Sequence, residues 1–305
     1  MRSQDTSNVK GMHSILFRPG TKLMPVPVLC LLTLTLTSLL GPWLLPYDPI
    51  TMSTKQLAPP SLEHWLGTDI HGRDLLARLF EGIRISLLVG LVGATVSVTI
   101  GVIYGAISGY AGGTVDHILM RLVDILYSLP TLLFAILLIT IFEKPVTHVL
   151  ATVGLVSWAP QTRLLLLFVA LGCVEWLTVA RVVRGQVLVL RELPFVHASR
   201  ALGQTAWKIV QRQILPHLKG IVTVYLTLSV PSVILQESFL SFLGLGVQPP
   251  HASLGTLMAD GAQAINPLQS PWWLLAAPGL SLGILLWSLN RIGEGLRDLW
   301  DVRRP

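Results

Sequence analysis

Residues 85–108 read Ile-Ser-Leu-Leu-Val-Gly-Leu-Val-Gly-Ala-Thr-Val-Ser-Val-Thr-Ile-Gly-Val-Ile-Tyr-Gly-Ala-Ile-Ser, without a single charged side chain. At about 1.5 Å per residue, a helix of this length crosses a ~30 Å hydrocarbon layer. Its small residues are not scattered. Gly93, Ser97, Gly101, Gly105 and Gly109 recur at every fourth position and so share one helix face. A face without side-chain bulk lets another backbone come close, which is how helices associate in lipid. The ladder serves either packing inside one bundle or contact with a second membrane subunit.

The rest of the chain repeats the signal. Of 305 residues, 52% are hydrophobic and only 12% charged, and the mean hydropathy is +0.65. A soluble domain carries roughly 25% charged residues, so this chain has too little polar surface to solvate a globule. Further apolar runs occupy Val26–Leu45, Ile118–Ile141, Leu164–Val183, Ile221–Leu240 and Trp272–Leu289. The first is too long for the core of a cleaved signal peptide, and Gly41-Pro42-Trp43 offers no small-x-small cleavage site. A shorter apolar stretch, 146–160, contains His148 and reads as an interfacial or re-entrant piece; a seventh span there is the alternative.

Basic residues set the expected orientation. The net charge of +6 sits in the segments between apolar runs, with no basic face interleaved with aromatics, which argues against nucleic acid. Six spans with an internal N-terminus put the tail (Arg2, Lys10, Arg18, Lys22), the loop with Arg181, Arg184, Arg191, Arg200, Lys208, Arg212 and Lys219, and the end with Arg291, Arg297, Arg303 and Arg304 inside. Lys55, Arg73, Arg78, Lys144 and Arg163 remain outside, and 241–271 carries no basic residue. The expected fold is an all-α bundle of about six spans. It divides into a cytoplasmic tail 1–24, a first helix 25–45, an external loop 46–84, a five-helix core 85–290 and a cytoplasmic tail 291–305.

No nucleophile elbow, HExxH or Walker lysine loop is present. Cys30 and Cys173 lie inside apolar runs and read as small packing residues. His64 and His71 fall near Asp69 and Asp74 in the expected external loop, where solvated side chains are the simplest reading. Asp124 and Glu175 are the carboxylates assigned to spans, and they are the candidates for polar groups facing the interior or a solute pathway.

The loop 184–219 carries the most information. Pro194 suits a first helical turn, and Phe195, Ser199 and Leu202 (or Ala198 and Leu202) fall on one face. Gly203 can end the helix in a left-handed conformation, Thr205 can cap the next one, and Pro216 marks the start of the fifth span. A short amphipathic helix of this kind fits a groove in a partner or lies on the membrane surface.

This segment resembles the coupling-loop motif of ATP-binding-cassette (ABC) importer permeases, Glu-Ala-Ala followed by Gly and then Ile-Leu-Pro. Gly203 and Ile214-Leu215-Pro216 match in spacing, and His197-Ala198-Ser199 stands where the family has Glu-Ala-Ala. Several stretches resemble the dipeptide/oligopeptide/nickel branch: Gly67-Thr68-Asp69 with Gly72-Arg73-Asp74, Arg84-Ile85-Ser86-Leu87, Arg121 to Asp124 with Leu129-Pro130, Ala180-Arg181 with Arg184-Gly185, 241–250, Trp272-Trp273 and 293–298. The likeness covers roughly residues 60–302 and fits the second permease of the pair.

The resemblance implies a transport subunit in the bacterial inner membrane, not an enzyme, with both termini cytoplasmic. It implies a heterodimer with a second permease, two cytoplasmic ATPases that bind ATP and Mg, and an external substrate-binding protein; this chain itself would hold no cofactor. Di- or oligopeptides are the first expectation for the solute, with nickel chelates or another small solute as the alternative. Phe195, Val196, His197, Ala198, Ser199, Ala201, Leu202, Gly203, Ile214, Leu215 and Pro216 would form the ATPase-coupling element. A secondary transporter predicts paired broken repeats, and a membrane enzyme predicts converging catalytic groups; neither pattern is seen.

Overall fold

Asp74 opens the longest helix. Its backbone is extended, and its side chain accepts from the Ala77 N–H at 2.8 Å, satisfying one of the free donors of the first turn. From there an unbroken helix runs to Ala111, where Gly112 at φ 65° ends it. The computed structural model describes residues 25–152, 159–265 and 270–300. Its helices are α1 (Pro25–Leu44), α2 (Leu75–Ala111), α3 (Gly113–Tyr127), α4 (Thr131–Thr152), α5 (Ala159–Leu190), α6 (Pro194–Ala201), α7 (Ala206–Ile209), α8 (Leu215–Phe242), α9 (Leu254–Ala264) and α10 (Trp273–Trp300). A π-helical turn, Val210–Ile214, joins α7 to α8. Among the described residues six helical stretches are long and apolar enough to cross a membrane.

Several expected boundaries move. Helix α2 begins ten residues before the apolar run, so 75–84 is helix rather than loop: Arg78 and Glu81 are buried there and find partners in neighbouring segments. The run Ile118–Ile141 is not one span. It breaks at Ser128-Leu129-Pro130 because a proline biases the residue before it away from helix and has no N–H to give. The amphipathic α3 lies before the break, and the spanning stretch is Thr131–Leu150 after it. The piece 146–160 is therefore not a separate element. Residues 146–152 finish α4, Ala159 and Pro160 begin α5, and 153–158 lie outside the described residues. The seventh span finds no support: 146–152 completes an existing one. Helix α10 runs on to Trp300, past the expected start of a tail at 291. The tail 1–24 lies outside the described residues.

The glycine ladder is the seam between α2 and α5. A Cβ on Gly101 would sit 2.6 Å from the Val179 Cβ, and one on Gly105 only 2.5 Å from the Ala180 carbonyl oxygen. Ser97 is fully buried in the same seam. The two helices run parallel, since rising numbers in one meet rising numbers in the other, while α8 runs antiparallel to α2. The ladder is thus spent inside this chain and is not a surface for a second subunit. Backbones this close gain dispersion contacts along their whole length, which lipid chains could not replace.

The bundle has an upper end and a lower end. Segment 46–74 and α9 form the upper end; the 191–214 loop forms the lower. Leu75, Leu79 and Ile83 pack with Leu254, Leu257 and Leu274 at the upper end. At the lower end Val183 and Val187 pack with Val196, Ile209, Ile214 and Leu218.

Candidate functional site

At the lower end the chain leaves α5 at Leu190, turns, and enters α6 with Leu193 extended and Pro194 in the first turn. Gly203 takes φ 74°, the left-handed conformation expected of it, and no atom lies within 4 Å of where its Cβ would be. Its glycine identity is therefore a matter of backbone and not of space. Thr205 occupies the cap position of α7, but its side chain makes no capping hydrogen bond. The fifth span does not start at Pro216. Helix begins ten residues earlier, and the π turn carries it across the proline: the Leu215 N–H donates to the Val210 carbonyl, five residues back. The extra residue loosens the ladder just where Pro216 has no N–H to contribute.

Helix α6 has two faces, and they are not quite those the spacing suggested. Val196 and Ser199 point inward, Val196 fully buried against the lower core and the Ser199 hydroxyl donating to the Phe195 carbonyl. Helix α6 therefore joins the lower core of this chain. Phe195 is half-buried and stacks on His217 of α8, with centroids 4.9 Å apart and planes 16° apart. It does not share a free face with Leu202. His197, Ala198, Ala201, Leu202 and Gly203 form the outer side, where Leu202 is 81% exposed. Trp207 of α7, 62% exposed, joins them. Ile214 is fully buried, Leu215 half-buried and Pro216 exposed, so the Ile-Leu-Pro residues anchor the following helix more than they offer a surface.

Ties to other helices hold this loop in place. The Arg191 guanidinium donates to the Gly109 carbonyl at 3.0 Å, satisfying a free acceptor at the C-terminus of α2. Arg200 lies over the Tyr110 ring at 5.2 Å. Glu192 sits 3.8 Å from His197 at the surface, which puts a carboxylate beside the position where the related motif has its glutamate.

The carboxylates of the bundle fall in different settings. Glu175 of α5 is half-buried and accepts from the Gln236 amide of α8. Asp124 is exposed on α3, 2.8 Å from Arg181, whose guanidinium also lies over the Tyr127 ring. It is a surface ion pair of this chain, not an interior group. Asp116 takes a two-pronged contact from Arg184 and a hydrogen bond from Ser108, pinning α3 to α5 and α2. A third carboxylate within the apolar runs went unassigned from sequence. Glu237 is fully buried in α8 and accepts from Ser241 at 2.6 Å and Ser86 at 3.2 Å. The signal was legible: a glutamate flanked by Ser238 and Ser241 near the end of an apolar span.

At the upper end the expectation of solvated side chains fails for three of four residues. His64 and Asp74 are buried and paired at 2.9 Å, and only His71 is exposed. Asp69 accepts from the backbone N–H groups of His71 and Arg73, the Arg73 side chain at 2.7 Å and the Arg78 side chain at 2.7 Å. Burial opposes its ionisation. The Arg73 backbone N–H and the Arg78 and Arg73 charges outweigh that and hold its pKa below the ordinary carboxylate value. Arg78 reaches on to Asp260 of α9 at 2.9 Å. The cluster is a structural clamp. Among the described residues no group of His, Cys, Asp and Glu is arranged to hold a metal.

Comparison with known proteins places these features. The model of the family of binding-protein-dependent transport system inner membrane components matches residues 101–304. The dipeptide transport system permease protein DppC of Bacillus subtilis (strain 168) is 41% identical over 283 residues, covering 92% of this chain and 82% of that protein. The oligopeptide transport system permease protein OppC of Escherichia coli (strain K12) is 46% identical over 258 residues, covering 84% and 78%. Among solved structures, an inward-facing MetNI methionine ABC transporter chain aligns with a TM-score of 0.52 at 21% identity, over 73% of this chain and 96% of that one. At that identity the likeness speaks for the fold.

Proposed function

We propose, from the premise that this chain belongs to the family of binding-protein-dependent transport system inner membrane components, that it carries short peptides across the membrane as the second permease of a heterodimer. The chain is a membrane permease of an ABC importer, and its family transports solutes without covalent chemistry. Two ATPases dock from the cytoplasm and bind the ATP and Mg, an external binding protein delivers the peptide, and this chain holds no cofactor. Both termini lie in the cytoplasm of a bacterium, so the lower end is cytoplasmic and the upper end external.

The observation that supports ATPase docking is the outer side of α6. Leu202, at the end of α6, and Trp207, on α7, are large, apolar and exposed, and the opposite side of α6 is fixed by a fully buried Val196. A rigidly held apolar side chain in water is what a groove in a partner accepts. Each ATPase cycle then moves α6 and the helices tied to it between two packed arrangements, opening the pathway alternately to either side.

The test is uptake of a labelled dipeptide by proteoliposomes holding this chain, its permease partner, both ATPases and the binding protein. Uptake is expected only with internal ATP and with all subunits present. Uptake unaffected by leaving out the ATPases overturns the mechanism. ATP-dependent uptake of a nickel chelate in place of every peptide tried overturns the solute.

A further inference from the structure

Helices α8 and α10 touch closely where Gly293 faces Leu228: a Cβ on Gly293 would lie 2.9 Å from the Leu228 Cδ2. On the lower side of this crossing a cleft of about 700 Å³ opens between them, with Gln186 of α5 on its far wall. Its mouth carries His217 and Lys219 from α8 and Arg297 from α10, and no carboxylate lines it. Among the described residues the side-chain nitrogens of Lys219 and Arg297 have no ion-pair or hydrogen-bond partner, in contrast to those of Arg181, Arg184 and Arg291, which all have carboxylate partners. Above the mouth the lining changes. Ile221, Val224 and Leu228, spaced three and four apart, form an apolar strip up one face of α8 to the Gly293 crossing.

We propose that this cleft is a binding site for an anionic phospholipid, with the headgroup phosphate between Lys219 and Arg297 and the upper part of an acyl chain along Ile221, Val224 and Leu228. The inference rests on the orientation proposed above, which sets this end of the bundle at the headgroup layer of the cytoplasmic leaflet. Two unpaired cations at the ends of membrane helices attract anionic lipid. The apolar strip is what separates a lipid from a soluble anion: inorganic phosphate or a small carboxylate would fill the mouth and leave the half-exposed Ile221 and Leu228 uncovered, on either side of a Val224 already buried within the chain. His217 lies at the mouth and also stacks on Phe195, so the site adjoins the helix that carries Leu202.

The test uses the assembled transporter in nanodiscs of equal parts phosphatidylglycerol and phosphatidylcholine, released into native mass spectrometry to count retained lipid. Preferential retention of phosphatidylglycerol is expected. It should fall about fivefold for each charge removed in Lys219→Gln and Arg297→Gln. Lys219→Arg combined with Arg297→Lys keeps both charges and should keep retention. Arg291→Gln, at an exposed cation already paired with Glu294, should change nothing. Equal retention of the two lipids, or full retention in the doubly neutralised variant, overturns the site. Displacement of the lipid by excess inorganic phosphate also overturns it, in favour of a soluble-anion site. Peptide uptake by the same preparations separates the two proposals: uptake intact with no lipid preference removes only the cleft.

Discussion

Replacing Leu202 by Asp separates the docking role proposed for α6 from its packing role. Leu202 is 81% exposed in this chain, so a charge there meets water and no core contact is lost. Substitutions at such positions usually cost within about 0.5 kcal/mol of stability. If a groove in an ATPase covers the leucine, the same change removes a buried side chain worth roughly 1.5–3 kcal/mol. At about 1.4 kcal/mol per factor of ten, association weakens by roughly 10- to 150-fold. Val196→Ala is the counterpart. Val196 is fully buried against Ile209 and Ile214. Losing two methyl groups costs about 1.6 kcal/mol of transfer free energy plus the cavity left behind. The assay is copurification of tagged ATPases with each variant, alongside thermal unfolding of the purified permease in detergent. Leu202→Asp should lower copurification with no shift in unfolding, and Val196→Ala should lower the unfolding temperature. Normal ATPase retention and normal uptake in Leu202→Asp would refute the docking argument. A fall in unfolding temperature as large as that of Val196→Ala would refute the assignment of faces.

Asp69→Asn leaves the buried Arg73 and Arg78 with Asp260 as their remaining carboxylate, at a cost below the roughly 3–5 kcal/mol of a fully orphaned buried charge; proteolysis of segment 46–74 should accelerate. Because the folded pKa of Asp69 is depressed, its stabilisation is present above the unfolded value of about 3.9 and is lost as pH falls through the folded value. The gap between variant and parent should therefore hold at neutral pH and narrow only in acid below that value. Gly105→Val drives a side chain into the Ala180 carbonyl and should cost about 1–3 kcal/mol or prevent α2 and α5 from closing, read as lost thermal stability in detergent. Gly185→Ala on α5, where a Cβ meets nothing within 4 Å, should instead gain roughly 0.5–1 kcal/mol. In a chain whose Cys30 and Cys173 are replaced by Ser, Leu62→Cys should react with an impermeant maleimide on intact cells and Leu202→Cys only in inverted vesicles; the reverse pattern would invert the topology.

What the sequence made legible was whatever depends on local pattern. Apolar length marked the spans, and the glycine spacing marked a close helix contact. Pro194 and Gly203 marked the limits of α6. What stayed hidden was decided by partners distant in the chain. The break at 128–130, Ser-Leu-Pro, lies inside a mostly apolar run, and only Pro130 and the return of α3 along α5 reveal two helices. His64, Asp69 and Asp74 read as polar loop residues because their burial depends on Asp260 and on a fold of 46–74 that no periodicity announces. The two faces of α6 were misjudged because eight residues give barely two turns. Which turn faces inward is set by Val183, Val187 and Ile214, which lie elsewhere in the chain.

These long-range contacts bear on how a load at the lower end would spread. Helix α6 follows α5 through a turn of three residues whose Arg191 is bonded to the last turn of α2; its own Arg200 lies over Tyr110 of α2, and its Phe195 stacks on His217 at the start of α8. A push on Leu202 or Trp207 therefore enters three helices together. Between α2 and α5 it meets a seam in which carbonyl oxygens stand where a Cβ would be, and such a seam cannot slide by fractions of a residue without steric overlap. The α2–α5 pair must then move as one body. The joint with α8 differs. The π turn at Val210–Ile214 and Pro216 leave the helix ladder incomplete there, so bending costs fewer hydrogen bonds than anywhere along α2. Motion imposed at α6 would then be expressed as rotation of the α2–α5 pair against α8. That contact includes the Glu175–Gln236 hydrogen bond.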